Sequence, residues 1–223
     1  MTIDLELEKK IVYLINTFNK KLFDEVIKNA IKLYKENKNL TILPNLIGAS
    51  YAGKNNHEEA IKFYKQALDL DQTNTEILNN LGKSLLEIGR YDEAIVIFNK
   101  SLEQDNTNFD TYFNLGIVYF NKSDFKSSLE NYHKAIKINK KFDKIHYNTG
   151  LALSKIGKNK DAINSFLETI KINPNHFKAL NNLGSRYINY NKYDLAIYYL
   201  KEAIKINSSY AHAYNNLGAA YLQ

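Results

Sequence analysis

The chain has 223 residues, a formal net charge of +6 and a pI near 9.1, with 44% hydrophobic residues and no cysteine. The lack of cysteine excludes a disulfide framework and a thiolate zinc site, and it favours a reducing compartment. No run of 18 apolar residues occurs, and the first ten residues are acidic where a signal peptide is basic. The sequence therefore predicts a cytoplasmic protein with no membrane partner.

The positive charge raises the question of nucleic-acid binding. The 30 basic residues alternate along the chain with 24 acidic ones, a pattern typical of solvated helix faces. Most of the aromatic residues, 17 Tyr and 11 Phe, fall at positions with helical packing periodicity instead of lining a basic stripe. The sequence predicts no nucleic-acid partner.

Residues 1–40 contain two amphipathic stretches with the spacing of helices. The apolar positions of the first are Ile11, Leu14, Ile15 and Phe18, and those of the second are Phe23, Val26, Ile27, Ala30, Ile31 and Tyr34. We predict a pair of helices here.

From residue 41 the sequence repeats every 34 residues. Six of the nine glycines share one position in this repeat: Gly48, Gly82, Gly116, Gly150, Gly184 and Gly218. The grid gives five full units, 41–74, 75–108, 109–142, 143–176 and 177–210, followed by a first helix at 211–223. A fixed period of this length is the signature of a solenoid of repeats. Because Leu14 stands at the preceding glycine position, we interpret residues 1–40 as a degenerate N-terminal capping pair and 41–223 as the array.

Each unit contains two amphipathic halves separated by a turn. In the unit 75–108 one half carries Leu78, Leu81, Gly82 and Leu85, and the other carries Ala94, Phe98, Ser101 and Leu102. Gly89 lies between them, and its equivalents are Asn55, Ser123, Gly157 and Asn191. Glycine and asparagine are the residues that most readily adopt the left-handed conformation that ends a helix. The sequence predicts an all-α fold of helix-turn-helix units.

The 34-residue length, the Leu-Gly-x-x-Leu/Tyr core of the first half and the Tyr-Asp-x-Ala-Ile opening of the second resemble the tetratricopeptide repeat, or TPR. The pattern is plain at residues 79–98 and 181–200 and extends over nearly the whole chain. The resemblance implies a right-handed α-solenoid in which the first helices line a concave surface. The glycine of the first helix and the alanine of the second permit close helix packing, so we predict that Gly116→Leu overpacks the array.

The sixth position of each first helix is asparagine in five successive units: Asn80, Asn114, Asn148, Asn182 and Asn216. An asparagine amide offers both donors and an acceptor, and it can bind the backbone of an extended peptide whatever the peptide's side chains. This ladder resembles the one in the TPR superhelix of protein O-GlcNAc transferases. Asparagine is also common at this position across the family and throughout this chain, so a structural origin remains the alternative.

Four further residues complete the predicted peptide site. Lys144 and Lys178, at the second position of their helices, are placed to attract an acidic partner, and Phe113 and Tyr147 project toward the same surface. Solvent exposure of the lysines and packing between repeats for the aromatic residues are the alternatives. The carboxylate clamp of some TPR domains needs Lys or Arg at the fifth or sixth position, where this chain has none.

The sequence offers no catalytic or cofactor site. Its five histidines occupy five different repeat positions, without metal-ligand spacing or an accompanying nucleophile motif, and its glycines form no phosphate loop. We therefore expect no enzyme activity, no metal and no cofactor.

The sequence predicts a protein-protein interaction scaffold that binds an extended peptide segment in a concave groove. Ending at Gln223 leaves Tyr214, Leu217 and Tyr221 without a partner helix. One expectation is that the protein self-associates through this last helix. The other is that the array is the substrate-recognition arm of a larger glycosyltransferase or sulfotransferase. RNA binding by a related class of helical repeats is the weakest alternative.

Overall fold

The computed structural model describes residues 5–223, and every regular element in this range is an α-helix, as the periodicity predicts. The first four residues of the predicted capping pair lie outside the described range. The thirteen helices of the described residues are α1 (Leu5–Asn19), α2 (Phe23–Glu36), α3 (Ile42–Gly53), α4 (His57–Leu70), α5 (Thr75–Glu87), α6 (Tyr91–Gln104), α7 (Phe109–Asn121), α8 (Phe125–Ile138), α9 (Asp143–Lys155), α10 (Asn159–Ile172), α11 (Phe177–Asn189), α12 (Tyr193–Ile206) and α13 (Ala211–Tyr221).

These helices form two compact units. The first ends at Val118 and contains α1 to α6 with the beginning of α7, and the second runs from Tyr119 to Gln223. The domain boundaries drawn from the repeat pattern, 1–40 and 41–223, stay a prediction.

The turn inside each helix pair uses a residue with positive φ. The predicted positions all adopt it: Asn55 (59°), Gly89 (76°), Ser123 (62°), Gly157 (76°) and Asn191 (56°). Lys21, one repeat length before Asn55, has the same conformation at 59°. The pair α1 and α2 thus turns as the repeats do, although its sequence has diverged.

Paired helices approach closely where the first helix has glycine and the second has a large side chain. In the first unit Gly48 faces Tyr64 and Gly82 faces Phe98, and in the second unit Gly150 faces Phe166 and Gly184 faces Leu200. The alanines at the start of the second helices, Ala60, Ala94, Ala162 and Ala196, have no exposed surface. The predicted close packing is confirmed at these four pairs.

The N-terminal pair belongs to the core of the first unit. Leu14 is 2% exposed and shares one buried cluster with Val26 of α2 and Ile47 of α3. Leucine at the repeat's glycine position is therefore accommodated by a different packing of α1, and no further helix pair precedes it within the described residues.

Polar side chains close the connections between one repeat and the next. After α4, α6, α8, α10 and α12 the next side chain accepts a hydrogen bond from a backbone N–H two residues later, as Asp71 does from Thr73 at 3.2 Å and Asn207 from Ser209 at 3.1 Å. The hydrogen bonds from Asn74 and Thr73 lower the pKa of the Asp71 carboxyl. Asn74 then caps α5 by accepting from the N–H of Ile77 at 3.2 Å.

We expect Asn74→Ala to lower the free energy of unfolding by about 1 kcal/mol, because α5 loses its N-terminal acceptor. Urea unfolding measures this change. Asn74→Ser keeps a capping oxygen and serves as the control, so an equal loss in both variants would show that the cap contributes nothing.

Candidate functional site

In the first unit, the predicted site residues lie on α5 and α7. Asn114 is 6% exposed, and its Nδ2 is buried with no hydrogen-bond partner among the described residues. Phe113, beside it, is half-buried and stacks parallel to Phe109 with ring centroids 6.1 Å apart. An unpaired buried N–H donor is costly, since desolvation is not repaid by a protein acceptor. Asn114 therefore has hydrogen-bonding capacity that the fold does not use.

The reason lies in the neighbouring hydrogen bonds. Asn79 Oδ1 accepts from the hydroxyl of Thr111 at 2.6 Å, and that hydroxyl lies 3.3 Å from the hydroxyl of Ser101. All three side chains are buried. Thr111 thus binds the Asn79 oxygen, and the Asn114 amide has no hydrogen bond to it.

Asn80 lines an open cavity of about 320 Å³. The cavity wall also includes His57, Ser84 and Glu87. His57 Nδ1 is buried and has no partner within residues 5–223. This cavity thus has a polar atom in its wall, His57 Nδ1, whose hydrogen-bonding capacity the described structure does not use.

The second unit places Tyr147, Asn148, Asn182 and Asn216 differently, because neighbouring side chains bind most of their polar groups. Asn182 Nδ2 donates to the Tyr147 hydroxyl at 3.4 Å, and Asn216 Nδ2 donates to Asn181 Oδ1 at 2.9 Å. Burial raises the pKa of Tyr132 well above its ordinary value, opposed by hydrogen bonds with Ser128 and Asn148. Asn182 and Asn216 thus donate hydrogen bonds within the fold, and the peptide-binding role of the ladder stays a prediction.

The repeated contact joins the sixth position of one first helix to the fifth position of the preceding one, 35 residues earlier. Sequence reasoning missed this pairing, although the polar residues Asn79, Tyr147 and Asn181 at the fifth position were a visible signal. It also missed Thr111, the polar residue at a position where later repeats have Ile145, Ala179 and Ala213.

The two predicted lysines lie on the surface of the second unit. Lys144 and Lys178 are exposed, each at the second position of its helix. Tyr147 is half-buried, with its ring centroid 4.6 Å from His176 and 5.9 Å from Phe166. Burial raises the pKa of Tyr147, and the hydrogen bond from Asn182 opposes this shift. A ligand at this surface can therefore contact the ammonium groups of Lys144 and Lys178 and the uncharged side chain of Tyr147.

His176 is an N-cap that sequence reasoning did not identify. Its Nδ1 accepts the N–H of Ala179 at 3.2 Å, which requires a neutral ring with the proton on Nε2. Burial lowers the pKa of His176 from its ordinary value of 6.5. The capping role explains why this histidine follows the short turn before α11.

We expect His176 to make stability depend on pH. Its folded pKa is depressed, so its contribution is complete above pH 6.5 and is lost as the pH falls through the folded pKa. The urea midpoint should be lower at pH 5.5 than at pH 7.5. His176→Asn, which caps without titrating, should reduce the difference, and an unchanged difference would contradict this assignment.

The described residues contain no group of three metal-binding side chains, and none of their helices is long and apolar enough to cross a membrane. The five histidines have separate environments in the described structure. His146, for example, lies 2.9 Å from the carbonyl oxygen of Lys140.

Sequence models of the tetratricopeptide repeat match residues 51–115, 109–142 and 143–176, and a TPR repeat model matches 184–223. None of the curated proteins compared with this sequence matches it.

Solved structures provide the fold comparison. MamA is 29% identical with a TM-score of 0.68, over 74% of this chain and 96% of that chain. YrrB, a TPR protein with an unusual peptide-binding site, is 25% identical with a TM-score of 0.67, over 83% and 96%. PilF of Pseudomonas aeruginosa is 16% identical and shares the fold with a TM-score of 0.82, over 96% and 97%. The chain belongs to the tetratricopeptide-repeat family, and its fold is a helical solenoid of these repeats.

Proposed function

We propose that this protein is an interaction scaffold whose first helices bind an extended segment of another protein. The buried Asn114 amide nitrogen, which finds no acceptor in the described part of the chain, is the observation that carries the proposal. The similarity to YrrB, whose structure is described as having a peptide-binding site, supports it.

Asn114 and Asn80 have the chemistry to bind a peptide backbone. Because the Asn114 amide nitrogen is buried, its side chain must turn outward to donate to a carbonyl of an extended segment, and that hydrogen bond satisfies a donor that is unpaired among the described residues. In the second unit the exposed Lys144 and Lys178 attract acidic groups of a segment bound there, with Tyr147 providing an aromatic contact. Asn148, Asn182 and Asn216 bind a ligand less strongly, because internal hydrogen bonds compete.

A peptide selected from a library of random twelve-residue sequences provides the probe. We expect Asn114→Ala with Asn148→Ala to weaken its binding by about thirtyfold, since two hydrogen bonds contribute about 1 kcal/mol each. Asn114→Ala alone should weaken binding by about fivefold, because it removes one of the two hydrogen bonds. Calorimetric titration measures both affinities.

The folded state provides an internal check. Asn114→Ala removes a buried donor that has no partner among the residues that the structure describes, so the melting temperature should be unchanged or slightly raised. Asn99→Ala with Asn164→Ala, which alters exposed asparagines of the second helices, is the matched control. Equal affinity of the selected peptide for all variants would overturn the proposal.

A further inference from the structure

We propose that the cavity beside Asn80 receives the guanidinium of an arginine in the bound segment. This inference rests on the proposed function and specifies the chemistry of one subsite. The residues around this cavity differ from those at the equivalent repeat positions of the second unit.

The second unit contains its own arginine at the equivalent place. Arg186 occupies the position in α11 that Ser84 occupies in α5, and its Nη1 donates to Asn159 Oδ1 at 3.0 Å. Asn159 is the first residue of α10, as His57 is the first residue of α4. The repeat geometry thus places a guanidinium against the start of the preceding second helix.

In the first unit the same place is open. Ser84 is too short to fill the cavity of about 320 Å³. His57 holds the repeat position of Asn159, whose Oδ1 accepts from Arg186, and His57 Nδ1 is buried without a partner in the described structure. A neutral imidazole with its proton on Nε2 presents Nδ1 as an acceptor for an N–H donor. The cavity therefore lacks the donor that the second unit provides internally.

The cavity also has an acidic side chain where the equivalent place in the second unit has none. Glu87 lines it, at the position where α11 has Asn189. Arg186 Nε is buried and unpartnered in the second unit, whereas a carboxylate provides acceptors for more than one N–H of a guanidinium.

Two nearby features affect the charge. Lys83 also lines the cavity, but its side chain is exposed and can extend into solvent. Glu58 and Glu59 in the first turn of α4 offset the positive end of that helix. A planar guanidinium, which pairs with a carboxylate through two parallel N–H groups, is favoured over an ammonium.

The test uses the ¹⁵N-labelled full chain and four blocked tripeptides, acetyl-Gly-X-Gly-amide with X as arginine, citrulline, lysine or glutamate. We expect the arginine peptide, at millimolar concentrations, to shift the NMR signals of the His57 and Asn80 side chains. Citrulline keeps the shape of arginine without its charge, and should bind at least about tenfold more weakly. Equal responses to arginine and citrulline, or a stronger response to glutamate, would overturn the inference.

Two variants, Ser84→Arg and Glu87→Gln, locate the site, and Gln72→Arg is the control. Ser84→Arg introduces the side chain found at Arg186 and should abolish the response, while Gln72→Arg adds the same charge on the exposed surface and should not. Glu87→Gln, at an exposed position, should weaken arginine binding at least about threefold without affecting folding. An unchanged response in Glu87→Gln would contradict the subsite even if Ser84→Arg fails to fold. Loss of this subsite, with Asn114-dependent binding of the selected peptide intact, would leave the proposed function standing.

Discussion

Replacing Gly82 by alanine is expected to lower the free energy of unfolding by about 1 to 3 kcal/mol. An added Cβ would lie 2.5 Å from Cε1 of Phe98, whose ring has no exposed surface and is held on all sides. Relief requires a shift of α5 relative to α6, so the loss exceeds the gain in helix propensity. Denaturant unfolding followed by circular dichroism measures the change.

Gly218 is the matched control, since it holds the same repeat position in α13. A Cβ there meets no atom within 4 Å, and Gly218→Ala should be neutral or stabilising by up to about 1 kcal/mol. A similar loss in both variants would show that the shared glycine position does not report helix packing. The sequence-based prediction for Gly116→Leu has the same physical reason.

Phe166→Ala is expected to cost about 3 to 5 kcal/mol, because it removes a large side chain that is 1% exposed in the second unit. The ring also contacts Tyr147, with centroids 5.9 Å apart, so its loss should loosen the aromatic part of the candidate site. The unfolding midpoint in urea and the Tyr147 ring signals are the two measurements.

The chain supplies its own control for this substitution. The next repeat has Leu200 at the position of Phe166, facing Gly184 as Phe166 faces Gly150. Phe166→Leu should therefore cost less than about 1.5 kcal/mol. If leucine and alanine destabilise the unit equally, the packing assigned to this position is wrong.

The fold could be predicted from the sequence because its determinants recur. The 34-residue grid identifies the helix pairs, and Gly89 and its equivalents mark turns that do have positive φ. Each repeat confirms the others, so one irregular residue does not obscure the pattern, such as Ser128 at the repeat position where Ala94 and Ala162 stand.

The use of the asparagine ladder could not be predicted, because it depends on pairs 35 residues apart whose geometry the grid does not specify. Asn216 donates to Asn181, whereas Asn114 Nδ2 has no partner among residues 5–223, where Thr111 donates to Asn79 instead. Asparagines at the same repeat position thus differ in whether their amide N–H groups are hydrogen-bonded within the fold. The cavity beside Asn80 depends similarly on differences between repeats, since Ser84 and Glu87 of α5 stand where α11 has Arg186 and Asn189.

The most direct test of the central claim is a titration of the ¹⁵N-labelled chain with the library-selected peptide, observing the side-chain amides of asparagine. If the first helices bind the peptide, the Asn114 and Asn80 signals shift and saturate together, while those of Asn99 and Asn164 on the second helices stay unchanged. Saturating shifts at Asn99 and Asn164 with none at Asn114 would contradict binding along the first helices.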